Sequence, residues 1–385
     1  MARVTKPELL SSLKDASAEF VEMAIAGGGS AIITTRGARV LGLFPGKDPA
    51  AHNALWTNEL IADLLAGKIR DWEGEGAGGV GGERLWVSPE RSFYYRQPET
   101  FGEWFAPLAM DPGNYRPVRS EGDRTPAYEN VFDLEDVRAD RTYGGVRLTR
   151  RFKAISDPFA GNHALKAMMP RLHYAGVRKT DSIELPDAPA DAKIGLWTLA
   201  LVDPAPPDGV GTVVIPVRPG AKAIDYFGGL TDERSVARRD YVAFRIDGQS
   251  VGKIGVRPED LDLRRAAQIA AFLPSRTKSR LLLVIQRSSD VPRTQDECLD
   301  EAKADPAGPK GAIQSYNNGP GADPNAPYKR FGEIEIQLAA AQPTGEGRTP
   351  AATAISDLLA FEGSREDILK LGKLVLGTGE IRLFE

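Results

Sequence analysis

The stretch Gly81–Glu90 carries the residue types best suited to chemistry in this chain. Two glycines permit a tight or left-handed entry, and a short strand then begins. Side chains alternate between the two faces of a strand. The polar set that shares one face is Arg84, Trp86, Ser88 and Glu90. This set suits a polyhydroxylated ligand, since a sugar offers apolar C–H faces to an aromatic ring and hydroxyl groups to charged partners. A half-buried strand with a solvated outer face is the alternative interpretation.

A second polar strand face is predicted late in the chain, within Phe331–Leu338. Glu333, Glu335 and Gln337 share this face, opposite three aliphatic residues. Two carboxylates on one face disfavour simultaneous ionisation when they are close and shielded from water. One of them would then be poised as a general base. An exposed acidic face is the alternative.

Histidine is the usual general acid at neutral pH, and the chain contains three. His52 lies in a polar loop, and His163 lies next to a predicted turn. His173 follows Arg171 and Leu172 and enters a predicted strand. Either of the last two histidines is a candidate acid. A structural or merely exposed role is the alternative for each.

Several classes of site are disfavoured by the motifs. The glycine-rich connection Gly74–Gly82 lacks a GxxxxGK[ST] phosphate pattern, and the chain has no HExxH, CxxC or GxSxG motif. The single cysteine, Cys298, is flanked by acidic residues, which raise a thiol pKa and make a nucleophilic role improbable. We therefore predict neither a metal nor a cofactor.

The elements that must position these residues are predicted to be mostly strands. Glycine (40) and proline (28) are abundant, and short alternating segments recur between turns, which favours an all-β sandwich. Short helices are predicted at about 6–16 and 365–376, with a helical turn at Thr100–Phe105 and a last strand at Glu380–Phe384. We expect one domain over residues 1–385.

Composition limits the partners. Charged residues make up 26% of the chain, the net charge is −4, and no long basic tract occurs, so a nucleic-acid surface is not expected. No run of about 18 apolar residues occurs, so no membrane span is expected. The N-terminus has no apolar signal region, and the simplest expected location is the cytoplasm. The oligomeric state stays open.

The order of motifs resembles that of bacterial proteins in the galactose mutarotase-like (aldose 1-epimerase-like) superfamily, over about residues 18–345. The stretches that carry the resemblance are Gly37–Leu43, Asn53–Trp56, Gly82–Glu90, Gly311–Asn317 and Phe331–Glu335. The resemblance implies a β-supersandwich whose broad sheet has a concave, polar, sugar-binding face. Short helices would flank it at both ends of the chain.

The resemblance also implies roles for single residues. By position, Glu335 corresponds to the carboxylate base of an aldose 1-epimerase, and His173 is our candidate for its acid. The usual Asn-His-x-x-Phe-Asn-Leu pattern is reduced to the fragment Asn162–Leu165. The residues expected to hold the sugar are Arg84, Trp86, Glu90, Glu333, Asn58 and Arg171. We expect Trp86 to stack on the sugar ring and His173 to lie within one ligand's width of Glu335.

The same scaffold also hosts other carbohydrate chemistry, so the fold does not fix the activity. A lyase would use Arg84 or Arg171 to stabilise an enolate. A glycoside hydrolase would use two carboxylates, for which Glu90 and Glu335 are candidates. A non-catalytic module that binds a small sugar or an oligosaccharide is the third interpretation.

Overall fold

Most of this chain consists of short segments in which apolar and polar residues alternate. These segments fold into strands. The computed structural model describes residues 4–48, 51–58, 60–65, 79–118, 125–189, 192–205, 208–263, 265–275, 279–320, 329–343 and 349–385. Residues 74–78 of the predicted glycine-rich connection Gly74–Gly82 lie outside these ranges. Within them the predicted mostly-β class is confirmed.

The strands of the described residues follow one another with few intervening helices. In chain order they are β1 (Phe20–Ala24), β2 (Ser30–Thr34), β3 (Arg39–Phe44), β4 (Glu83–Ser88), β5 (Tyr95–Gln97), β6 (Gly102–Trp104), β7 (Arg116–Pro117), β8 (Ala127–Asp136), β9 (Arg141–Ala154), β10 (His173–Glu184), β11 (Gly195–Val202), β12 (Gly211–Pro216), β13 (Ile224–Asp225), β14 (Ser235–Ala237), β15 (Tyr241–Ile246), β16 (Gly252–Val256), β17 (Ala267–Pro274), β18 (Arg280–Ser288), β19 (Ile313–Asn317), β20 (Gly332–Ala340), β21 (Gln342–Pro343) and β22 (Pro350–Ser364).

Two large antiparallel sheets contain most of these strands. The first sheet has the order β1-β2-β3-β4-β11-β20-β19-β16-β13. The second has the order β14-β15-β12-β17-β18-β22-β10-β9-β8-β7, with β21 paired to β22, while β5 and β6 form a separate pair. Because β11 pairs with both β4 and β20, segments far apart in sequence become neighbours in the first sheet.

The apolar faces of the two sheets belong to one hydrophobic core. From the first sheet it receives Leu85 and Val87 of β4 and Ile334 of β20. From the second it receives Val284 of β18 and Leu359 of β22. Each such fully buried side chain contributes about 1.5–3 kcal/mol of hydrophobic stabilisation. The apolar faces predicted for β4 and β20 are therefore confirmed.

Helices occupy little of the described chain. They are α1 (Lys6–Asp15), α2 (Ile61–Leu65), α3 (Glu90–Phe93), α4 (His163–Lys166) and α5 (Arg365–Leu376). The predicted N-terminal helix is confirmed by α1, in which Thr5 and Glu8 form the expected capping box. The predicted C-terminal helix is confirmed by α5, which ends at Gly377 with φ +67°.

Two local predictions are wrong. The segment Thr100–Phe105 contains β6, which pairs with β5, and is not a helical turn. The segment Glu380–Phe384 is irregular: the backbone N–H of Phe384 donates to the side chain of Thr212 and does not join a strand ladder. The long strand β22 is not predicted at all, because its alanine-rich first half lacks a clear alternation.

Charged residues lie inside the core between the sheets. Arg150 Nη2 lies 2.7 Å from Glu83 Oε1, and Arg150 Nε lies 2.8 Å from Asp181 Oδ1. Lys179 Nζ lies 2.8 Å from the same Glu83 oxygen and donates to Thr198 Oγ1 at 2.7 Å. Burial alone would raise the pKa of Glu83, but Arg150 and Lys179 together outweigh it and hold the pKa at about 2. Glu83 is therefore an ionised residue that ties the first sheet to the second.

We expect Lys179→Met to lower the free energy of unfolding by about 3–5 kcal/mol, because it removes one of the two cations that compensate the fully buried Glu83. Urea unfolding measures the change. Lys153→Met is the matched control, since Lys153 is exposed on the adjacent strand β9 and its loss should change stability by about 0.5 kcal/mol or less. Equal losses in the two variants would contradict a structural role for the buried cluster.

Candidate functional site

The cavity of about 720 Å³ lies on the face of the first sheet that points away from the second sheet. Alternation along the strands decides which residues reach it. On β4, Glu83 turns toward the second sheet, and its neighbours Arg84 and Trp86 turn into the cavity. On β20, Ile334 packs in the core, and Glu333 and Glu335 line the cavity. The polar faces predicted for β4 and β20 therefore meet in one site.

Strand pairing arranges the cavity floor in rows that run across the sheet. One row aligns Trp86, Trp197 and Gln337. The next aligns Arg84, Leu199, Glu335, Gln314 and Gly255. A third aligns Leu201, Glu333, Tyr316 and Lys253. The charged side chains are thus concentrated in the second and third rows.

Lys253 is the central cation of the site. Its Nζ lies 3.3 Å from Glu335 Oε2, 3.5 Å from Glu90 Oε2 and 3.9 Å from Asp300 Oδ2. The same nitrogen lies 4.6 Å from the ring centroid of Trp197. Burial would lower the pKa of Lys253, but the surrounding carboxylates, led by Glu335, raise it well above its ordinary value. Lys253 is therefore a permanent cation that bridges three acids.

A single ammonium does not compensate three carboxylates, and two of them hold their protons unusually strongly. Burial, together with the charges of Glu333 and Glu90, raises the pKa of Glu335 to about 8 despite Lys253. Burial likewise raises the pKa of Asp300 to about 6. Neither oxygen of Glu335 has a hydrogen-bond donor of suitable geometry among the described residues. Glu335 is therefore largely a neutral acid at pH 7, poised to give up a proton.

Arg84 supplies the second cation. Its Nη2 lies 2.7 Å from Glu333 Oε1, and its guanidinium carbon lies 4.0 Å from the ring centroid of Trp86. Its Nε and Nη1 have no hydrogen-bond partner among the described residues, and the same is true of Trp197 Nε1 and Gln337 Nε2. Such unsatisfied buried groups are rare in folded proteins and mark this floor as a place where polar contacts remain to be made.

Trp86 is fixed from behind by an ion pair. Its Nε1 donates to Asp111 Oδ2 at 2.6 Å, and Arg39 Nη2 lies 2.6 Å from both oxygens of the same carboxylate. Arg39 also donates to the carbonyl of Gly81 at 3.0 Å. The indole therefore keeps one orientation. Gly81 and Gly82 enter β4 with φ of +90° and +83°, as the sequence predicts.

Aromatic rings form the walls above this floor. Trp104 lies 5.9 Å from Trp86 between ring centroids and donates from Nε1 to Glu90 Oε1 at 3.1 Å. At the opposite end, Phe227 lies 6.0 Å from Tyr316. The full lining consists of Arg84, Trp86, Glu90, Tyr95, Phe101, Glu103, Trp104, Trp197, Leu199, Phe227, Val251, Lys253, Lys303, Tyr316, Asn318, Lys329, Phe331, Glu333 and Glu335.

Gly255 makes room for the ring behind Lys253. A Cβ at this position would lie 2.5 Å from Tyr226 Cε2, which no ordinary contact permits. The hydroxyl of Tyr226 accepts hydrogen bonds from the backbone N–H of Gly311 and from Gln314 Nε2. Its ring centroid lies 5.4 Å from Lys253 Nζ. The missing side chain thus lets an anchored aromatic ring support the central ammonium.

The structure brings together most of the residues that the sequence singled out. Arg84, Trp86, Glu90, Glu333 and Glu335 all line the cavity, although about 250 residues separate the first from the last. The expected stacking surface differs. Trp86 is only 3% exposed, with Arg84 over its ring, so it forms a wall and not an open platform. Trp104, Phe227 and Tyr316 offer more accessible aromatic surface.

The other predicted residues lie outside the cavity lining. His173 begins β10 of the second sheet, where its exposed ring lies 3.6 Å from Glu362, so it does not lie near Glu335 as expected. The exposed side chain of Arg171 lies 3.3 Å from Asp367 of α5. Asn58 is buried before α2, where its side chain accepts a hydrogen bond from the backbone N–H of Leu60. None of the three side chains lines the cavity, and each contacts a neighbouring residue elsewhere in the fold.

Sequence reasoning missed the residues that complete the charge cluster. Lys253 lies on β16, a strand of five residues that includes Gly252 and Gly255. So short a strand shows no clear alternation of apolar and polar residues. Asp300 lies in an irregular acidic segment that drew attention only through Cys298, a buried thiol whose pKa burial raises to about 12. One feature of the sequence could have indicated Lys253. It directly precedes Ile254, which shares the core face of the strand with Val256, so Lys253 must point to the opposite face.

The described ranges lack two further features. No helix there is both long and apolar enough to cross a membrane. No group of three or more His, Cys, Asp or Glu side chains there is arranged to hold a metal ion. At the centre of the acidic cluster lies the ammonium group of Lys253.

Fold and site together define a mostly-β protein with a charged, aromatic cavity on one sheet. The chain matches the family described as "Family of unknown function (DUF6786)" over residues 62–380. Because this match spans most of its length, the chain belongs to that family. A search of curated proteins returns no match.

Solved structures similar to this chain include two proteins at low identity. One is the Slr1438 protein from Synechocystis sp. PCC 6803, with 9% identity, a TM-score of 0.42 and coverage of 89% of this chain and 95% of that one. The other is a GalM/aldose epimerase homologue from C. elegans, with 9% identity, a TM-score of 0.44 and coverage of 90% and 99%.

The raised pKa of Glu335 predicts a specific pH dependence of stability. Between about pH 4.5 and 8 this carboxyl is protonated in the folded chain and ionised in the unfolded chain, so the free energy of unfolding should fall as the pH rises. Urea unfolding from pH 5 to 8.5 measures the slope. We expect Glu335→Gln to fall less steeply than the wild type, with Glu184→Gln, an exposed carboxylate of the second sheet, as control. Identical slopes in wild type and Glu335→Gln would contradict this protonation state.

Proposed function

We propose that the protein binds a carbohydrate in this cavity and acts on it by acid–base chemistry. The observation that carries the proposal is the meeting of Arg84 and Lys253 with a group of buried carboxylates and with several aromatic rings in one cavity. The carboxylates are Glu90, Glu333, Glu335 and Asp300. A sugar ring matches this mixture, because its C–H faces pack on aromatic rings and its hydroxyl groups take up charged donors and acceptors. The resemblance of the sequence motifs to the galactose mutarotase-like superfamily supports the same class of ligand.

The most specific form of the proposal is an aldose 1-epimerase-like isomerase. Such a reaction removes the proton of the anomeric hydroxyl while the ring oxygen takes up a proton and the bond between the ring oxygen and the anomeric carbon breaks. The open-chain aldehyde then closes on its other face and returns both protons. The site therefore needs one group that accepts a proton and one that donates a proton at the same time.

We assign these two roles to groups that touch Lys253. Glu90, whose side chain is 17% exposed, is the acceptor for the anomeric proton. Neutral Glu335 donates its proton to the ring oxygen, and Lys253, which stays protonated 3.3 Å away, stabilises the carboxylate that results. Ring closure reverses both transfers, so no proton is gained or lost. This assignment differs from the sequence prediction, in which Glu335 is the base and His173 the acid, because His173 lies on the second sheet.

Glycoside hydrolysis is a second candidate, favoured by one observation. Glu90 and Glu335 both contact Lys253 Nζ, so their nearest oxygens lie within about 7 Å of each other. This limit includes the separation of roughly 5–5.5 Å that retaining glycosidases use. New reducing ends released from an oligosaccharide would identify this activity. The lyase alternative loses one of its two proposed cations, since Arg171 lies outside the cavity lining.

We expect Glu335→Gln to reduce the rate of mutarotation about 10²–10⁴-fold, because the amide cannot supply the proton that the ring oxygen takes up. Polarimetry on freshly dissolved aldoses measures the rate. Glu184→Gln, on the second sheet, should keep the wild-type rate. If the wild type accelerates none of a broad panel of aldoses, the isomerase proposal is wrong. If Glu335→Gln is fully active, the assignment of Glu335 is wrong.

The same assignment predicts the shape of the pH profile. Glu335 donates only while it is protonated, so the rate should fall as the pH rises through about 8. Polarimetry from pH 5 to 9.5 measures this alkaline limb. In Glu335→Gln the residual rate should show no such limb. A limb that persists unchanged in the variant would assign the titration to another group.

A further inference from the structure

The cavity floor is long in the direction of the strands. Trp86 and Trp197 line its first row, at the level of Gln337 on β20, and Phe331, directly before β20, lies six residues from that level at the other end. At about 3.3–3.4 Å per residue these positions are roughly 20 Å apart. Asn318 and Val251 lie beside Phe331 at this end, and the backbone N–H of Asn318 donates to the Phe331 carbonyl at 2.9 Å. The floor thus has a fourth row beyond the charged ones.

The charged groups occupy the middle of this floor. Arg84 and Glu335 lie in the second row, and Glu333 and Lys253 lie in the third. A ligand that reaches the Lys253 cluster therefore has floor on both sides along the strand direction.

Aromatic rings flank the charges on both sides. Toward the first row lie Trp86 and Trp104, with ring centroids 5.9 Å apart. Toward the fourth row lie Tyr316 and Phe331, 6.2 Å apart, and Phe227, 6.0 Å from Tyr316. Each group offers apolar surface on which a sugar ring could pack. Tyr316 itself lies in the third row, so the second row, with Arg84 and Glu335, separates the two groups.

The size of the cavity agrees with this arrangement. A hexose has about 12 heavy atoms, and at the roughly 30 Å³ that a water molecule occupies in the liquid they would fill about 360 Å³. The cavity holds about 720 Å³. One hexose therefore leaves about half of it unfilled even by this generous measure.

We infer that the cavity takes a glycosidically linked carbohydrate of two or more sugar units, with the linkage over Lys253 and one sugar against each aromatic group. This inference rests on the proposed function, because it takes a carbohydrate as the ligand. The row with Trp86 and Trp104 holds one unit, and the row with Phe331 and Phe227 holds the next. Glu90, Lys253 and Glu335 then face the oxygen that joins the two units. This placement deepens the hydrolase form of the proposed function, because the anomeric carbon at the linkage carries no free hydroxyl group for mutarotation.

The test compares mono-, di- and trisaccharides of one sugar and linkage, in β-1,4-linked glucose and galactose series, by isothermal titration calorimetry on the full chain. We expect the Kd to fall at least about tenfold from the mono- to the disaccharide of the series that binds. Trp104→Ala and Phe227→Ala should each raise the disaccharide Kd about tenfold, and only one of them should affect the monosaccharide. Phe20→Ala, at the edge strand β1 of the same sheet, is the control and should change neither Kd.

Thermal unfolding of each variant shows that it is folded, and Trp104→Phe and Phe227→Leu replace any variant that is not. Equal affinity for mono- and disaccharides, with sensitivity to only one of the two aromatic variants, would overturn the inference and leave the proposed function standing. Heat of binding from none of the saccharides would count against the proposed function itself, and the inference would fall with it.

Discussion

Burying a carboxylate away from water carries a large desolvation free energy, and the first sheet has a buried carboxylate on each of its two faces. Glu83 and Glu335 are both glutamates with essentially no exposed surface, on strands β4 and β20. Glu83 meets Arg150 and Lys179 at 2.7 and 2.8 Å, and its pKa is held at about 2. Glu335 shares Lys253 with two other acids, and its pKa rises to about 8. Equal burial thus gives opposite protonation in these two glutamates, because Glu83 has two cations within 2.8 Å and Glu335 shares one cation with two other acids.

This contrast separates structural charge from charge available for chemistry. The Glu83 cluster has a cation for each acid and lies between the sheets, where its contacts hold the core. Around Lys253 three acids share one ammonium group, and neither oxygen of Glu335 has a hydrogen-bond donor among the described residues. Groups with perturbed pKa values and unsatisfied hydrogen bonds concentrate at functional sites. The proposed chemistry therefore belongs to the outer face of the first sheet.

Sequence reasoning succeeded where a single strand carried the information. The alternation of β4 places Arg84 and Trp86 on one face, and that of β20 does the same for Glu333 and Glu335. Nothing local shows that these strands are joined through β11, nor that the short strand with Lys253 completes the cluster. The sequence suggests His173 as the acid only because of its residue type. The pairing of β10 with β22 places it on the second sheet. The type of a residue shows which chemistry its side chain could do, but the pairing of the strands decides whether that side chain reaches the cavity.

The contact of Lys179 with Glu83 also has a mechanical consequence. It joins the middle of β10 to the start of β4, and Arg150 of β9 reinforces the link. If one sheet slid past the other by a single residue, about 3.4 Å, these buried charges would be pulled apart in a dry core. The cavity floor is thus locked in register with the sheet behind it. Any adjustment of the cavity to its proposed ligands would therefore occur at its edge. Trp104 and Phe227 lie there, on short segments that are not part of the two large sheets.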